Sequence, residues 1–139
     1  MNHQVQGLLD FLGSEGFPAH LDADGDIAFK CEGLAYVLCF DGDDPAYGKL
    51  VVPNVWAIED GAELQRALLA LDTVNRKMKV VKGHTQRDQV WFTVELWLDQ
   101  PMRWTGVLQR AIRALAHGIG LFAQQMRADD TARPSSPAN

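Results

Sequence analysis

Residues 104 to 126 place an apolar side chain at almost every third or fourth position: Trp104, Leu108, Ala111, Leu115, Ile119, Phe122 and Met126. That is the period of an α-helix buried along one face, sustained for about six turns. It is the longest regular pattern in the chain, and it must lie on another apolar surface. Pro101, behind Asp99 or Gln100 as cap, sets the start, so the spacing predicts a helix over about 101–127. Gly118 and Gly120 lie inside it and cost about 1 kcal/mol each against Ala. Either another backbone passes close there or the helix bends.

The surface it needs is predicted by the preceding residues. The segments 79–85 and 89–98, joined around Gln86-Arg87-Asp88, read as a hairpin pairing Val81 with Val94 and Gly83 with Phe92. Phe92, Val94, Leu96 and Leu98 then face one way, and Trp91, Thr93, Glu95 and Trp97 the other, with His84 beside Trp91. Earlier, turn chemistry at Asp22-Ala23-Asp24-Gly25-Asp26 and short β-branched and aromatic runs predict strands at about 17–21, 26–32, 34–40 and 48–57. The run Asp41-Gly42-Asp43-Asp44-Pro45 reads as a loop. Pro53 cannot donate to a ladder, so its strand is an edge, is bulged, or breaks there.

Two further helices complete the pattern. Val5, Leu8, Leu9 and Leu12 form a short stripe stopped by Gly13 and Gly16. Asp60-Gly61-Ala62-Glu63 has capping-box spacing and opens a helix over about 61–77, whose expected buried stripe is Leu64, Ala67, Leu68, Leu71, Val74 and Met78. The order α-β-β-β(-β)-α-β-β-α predicts an α+β fold, an antiparallel sheet with helices mainly on one face. At 139 residues the chain has room for one core. The expectation is a single domain over 1–128 and a disordered tail over 129–139, where Arg-Pro-Ser-Ser-Pro offers nothing large and apolar.

Net charge narrows the functional classes. At −5, long-range attraction to phosphate backbones or anionic lipid is absent, so neither a nucleic-acid nor a membrane partner is expected. The one dense basic run, Arg76, Lys77, Lys79 and Lys82, reads as a helix end whose cations complement the dipole. No apolar run reaches membrane-span length and no signal-peptide order is present. Cys31 and Cys39 are too far apart along neighbouring strands to bridge, which suits a cytoplasmic location.

No residue set for a reaction emerges. Asp22, Asp24 and Asp26 carry Gly25 two places too early for a calcium loop, and Asp41, Asp43 and Asp44 read as a solvated loop. His3, His20, His84 and His117 lack metal-ligand spacing. Ser14, Ser135 and Ser136 lie in no nucleophile elbow, and the cysteines lack the setting that lowers a thiol pKa. Neither metal nor other cofactor is expected, nor enzymatic activity.

Trp56, Trp91 and Trp97, with Tyr47, are the candidate partner-binding residues, since tryptophan is enriched at interfaces. The alternative is a longer element covering these rings within the same subunit. The run Leu68-Leu69-Ala70-Leu71-Asp72-Thr73-Val74-Asn75-Arg76, the Trp56-Ala57-Ile58 lead into the cap, and the hairpin and long helix that follow resemble the YbjN family over about 4–127. Those bacterial domains are described as sensory transduction regulators and share the fold of type III secretion chaperones. The resemblance implies a cofactor-free protein, often a homodimer, acting through protein contacts as a regulator or chaperone. Pro53 and Gly118/Gly120 depart from typical members, which leaves the dimer mode open. Asn75 is read as satisfying carbonyls at a helix C-terminus. The alternative function is a small-molecule sensor, with a pocket between sheet and last helix lined by Phe92, Trp104 and Leu108.

Overall fold

A computed structural model describes residues 3–132, with side chains followed as far as Ala128. The chain runs α1 (His3–Ser14), β1 (Ala19–Leu21), β2 (Ile27–Cys31), β3 (Leu34–Asp41), β4 (Asp44–Ala57), α2 (Gly61–Lys77), β5 (Val81–Gln86), β6 (Gln89–Trp97), a 3₁₀ turn (Pro101–Gly106) and α3 (Leu108–Ala132). The strands form one open antiparallel sheet in the order β1-β2-β3-β4-β6-β5. The fold is α+β, as expected.

Tight turns set the register. Glu32 and Gly33 take φ of 49° and 83° between β2 and β3, the left-handed pair that a twisted two-residue hairpin requires. Pairing of β3 with β4 continues to Asp41↔Asp44, so the expected acidic loop is a two-residue turn and β4 starts at Asp44 rather than at 48. Asp41 Oδ1 closes it by accepting from the Asp43 amide at 2.8 Å. Pro53 takes the bulged outcome: β4 is central, between β3 and β6, and its register against β6 shifts between Val52 and Trp56. Val81 pairs with Val94 and Gly83 with Phe92, the register expected.

Because strand side chains alternate, that register gives the sheet two unlike faces. Ile27, Leu38, Leu50, Val94 and Val81 align across five strands, all buried in one core with the helices. The next row out of phase is Ala28, Val37, Val51, Thr93 and Lys82, on the face without helices. α3 lies on the inner face, where Phe122 meets Trp56 and Phe92 edge-on at centroid distances of 5.8 and 5.5 Å. Burying such a ring stabilises the fold by about 2–3 kcal/mol.

Three expectations need correction. The last helix is not continuous from Pro101: Val107, at φ −126°, caps the 3₁₀ turn, and α3 begins afresh at Leu108. It then runs to Ala132, so residues 129–132 are helical rather than tail, while 133–139 lie outside the described residues. On α2 the buried stripe is Ala67, Ala70, Leu71 and Val74, whereas Leu64 and Leu68 are exposed along with Leu69. The cause is close packing against α3, since a Cβ on Gly118 would stand 3.1 Å from Val81 and 3.6 Å from Val74. Gly118 thus makes room for neighbours in the same chain, Val74 and Met78 from α2 and Val81 from β5, so α2 turns its Val74 side inward.

Candidate functional site

The open side of the sheet is the first candidate surface. Val51 and Thr93 are buried there without any helix above them, hidden by neighbouring side chains. Beside them, Lys82 Nζ donates to Glu95 Oε2 at 2.9 Å, and this bond holds the Glu95 carboxyl below the usual carboxylate value despite partial burial. Tyr47, pushed up by burial and by Glu95, is cross-strand partner to Trp97. Trp97 is 81% exposed.

The three tryptophans do not form one cluster. Trp56 lies on the inner face, opposite Val90, with its edge to Phe122; its Nε1 donates to Glu63 Oε2 at 3.1 Å. Glu63 is fixed in turn by capping, as its amide donates to Asp60 Oδ1 at 2.8 Å and its Oε1 accepts from the Glu59 amide at 2.6 Å. Trp91 is half-buried on the outer face, donating to Asn54 Oδ1 at 3.1 Å, with the His84 ring 6.3 Å away as expected. Only Trp97 and Tyr47 stand together at one end of the outer face.

The pocket expected between Phe92, Trp104 and Leu108 is solid core: each of the three is at most 1% exposed. Gly48 makes this possible, because a Cβ there would lie 2.6 Å from the Trp104 indole nitrogen. A groove of about 720 Å³ opens instead where the end of α2, the end of β6 and the start of α3 converge, floored by Leu96, Val107 and Ala114. Lys77, Lys79, Arg110 and Arg113 ring it. Sequence reasoning placed the two lysines at a helix end and passed over the arginines. The missed signal was their position in the first turns of α3, legible only once the break at Val107 is known.

The remaining chemistry-bearing groups make no nucleophile. Cys31 packs against the core, while Cys39 sits at an odd position of β3, on the outer face, so the two thiols are free. Burial, then the nearby Asp26 carboxylate, pushes the Cys39 thiol up to about 12, which disfavours the thiolate a nucleophile needs. Asp22, Asp24 and Asp26 bring carboxylate oxygens within 4.8 Å of one another. Asp22 Oδ1 is engaged by the amides of Asp24 and Asp26 at 2.9 and 3.0 Å, the turn expected there. Among the described residues no helix is long and apolar enough to cross a membrane.

Compared with known proteins, the sequence matches no family model and no curated protein. Its structure is similar to the crystal structure of YbjN, "a putative transcription regulator from E. coli", with a TM-score of 0.62 over 83% of this chain and 87% of that one, at 12% sequence identity. The fold is YbjN-like. At that identity the likeness rests on the arrangement of helices and strands rather than on shared site residues. The YbjN-like fold agrees with the resemblance carried by the α2 run and the closing hairpin and helix.

Proposed function

We propose that this chain is a non-enzymatic regulator that works by binding a polypeptide on the open face of its sheet. One observation carries the reading: a six-stranded sheet with helices on one side only, whose bare side ends in Trp97, exposed beside its cross-strand partner Tyr47. An exposed tryptophan buries a large area at small entropic cost when a partner covers it. The description of YbjN as "a putative transcription regulator" fits a regulatory role, and the chaperone-like and homodimeric readings of the resemblance, with the cytoplasmic location expected from the cysteines, are part of this proposal.

The test is affinity capture from the native host with wild-type protein and a Trp97→Asp variant, alongside light scattering of both. Wild type is expected to retain a companion, or to dimerise, in a manner the variant loses. Identical capture by both proteins, with both strictly monomeric, would remove the sheet face from consideration.

A further inference from the structure

Arg110 and Arg113 stand in the first two turns of α3, which carries no acidic residue in its first turn. Aligned peptide dipoles make that end positive, so the Arg110 guanidinium, in the first turn, sits where the helix repels it. Lys77 and Lys79 lie across the groove at the C-terminus of α2, where the dipole favours cations. The four ion pairs among the described residues, Arg66–Glu63, Arg76–Asp72, Lys82–Glu95 and Arg103–Asp99, all lie elsewhere. Among the described residues none of the four groove cations has a carboxylate partner, and no Asp or Glu lines the groove. On a chain of net charge −5, unpaired positive charge is gathered around one apolar floor.

We infer that this groove binds a small amphipathic organic anion. The apolar body lies on Leu96, Val107 and Ala114, and a carboxylate, sulfate or phosphate head sits among the arginines and lysines. The volume, about 720 Å³, falls within the roughly 300–1,000 Å³ of small-molecule sites. Charge complementarity decides the sign of the head group: an anion offsets the four clustered cations and relieves the repulsion between Arg110 and the start of α3. This site is separate from the sheet face, since Trp97 does not line it.

The test uses the full chain and two probes, anilinonaphthalene sulfonate followed by fluorescence and decanoate as competitor. Saturable one-to-one binding is expected, displaced by decanoate but not by decanol or acetate. The double variant Arg110→Gln/Arg113→Gln should weaken it at least tenfold, and Ala114→Trp should block it by filling the floor, with circular dichroism and urea midpoints verifying that both fold. Trp97→Asp should bind as wild type, which separates this result from the test of the sheet face. Absence of saturable binding, equal displacement by decanol, or unchanged affinity in folded arginine variants overturns the proposal. So does tighter competitive binding by an acidic amphipathic peptide, which would make the groove a polypeptide site.

Discussion

Asn75 uses both ends of its side-chain amide on one residue of a neighbouring strand. Its Nδ2 donates to the Gly83 carbonyl at 3.1 Å, and its Oδ1 accepts from the Gly83 amide at 2.8 Å. Its role is therefore not the helix C-terminal one that the sequence suggested; the Met78 amide closes α2 by donating to the Val74 carbonyl. Gly83 suits this contact because a Cβ there would come within 2.5 Å of Leu71 and 2.6 Å of Phe92, so α2 can approach β5 closely. Asn75→Ala removes two hydrogen bonds and is expected to cost about 1–2 kcal/mol, read as a lower urea midpoint with an unchanged slope. Whether a tryptophan would be covered was not legible in the residue itself. Trp56 and Trp97 both sit on strands, and only the bulge at Pro53 and the register against β6 decide which face each takes.

The elements that sequence placed best were those bounded by local chemistry. α2 spans the expected 61–77 because Asp60 caps it by itself. The β5–β6 register held because a slip of one residue would turn Phe92 and Val94 out of the core. Ala67, Leu71 and Val74 of the expected α2 stripe are buried, but the period alone could not fix the phase closely enough to choose Ala70 over Leu64 and Leu68. The choice was made by α3, where Gly118 takes in Val74 and Met78 and so fixes which side of α2 faces inward. The break before α3 was hidden for a similar reason, since Trp104 and Leu108 keep helical spacing across it. That break puts Arg110 at a helix start, so Arg110→Glu should raise stability by about 0.3–1 kcal/mol, a Tm gain of a few degrees at most. The same substitution should abolish anion binding in the groove, and calorimetry with and without decanoate reads both effects.

For the molecule as a whole, the acid limb of stability contains terms of opposite sign. Glu95 is held below its ordinary value of 4.5, first by the Lys82 hydrogen bond. Its contribution is therefore complete above that value and is lost as pH falls through the lower folded one. Glu95→Gln should cost less than about 1 kcal/mol near neutral pH, and its urea-midpoint curve should converge on wild type once the pH falls below the lowered folded value of Glu95. Asp26 acts in the opposite direction: burial first, then Asp22, raises its carboxyl from 3.8, so its contribution is complete below that value and fades as pH climbs through the raised one. Function was less legible than fold because both candidate surfaces are assembled from residues far apart in the chain, Tyr47 with Trp97 and Lys77 with Arg110. The amide that Asn75 lays on Gly83 has one more consequence. It occupies the middle of one outer margin of the sheet, and the other margin is a strand of three residues. Both margins are thus blunted, one by a side-chain amide at its middle and the other by its shortness, and fibre-like growth by edge-to-edge stacking is discouraged at both ends.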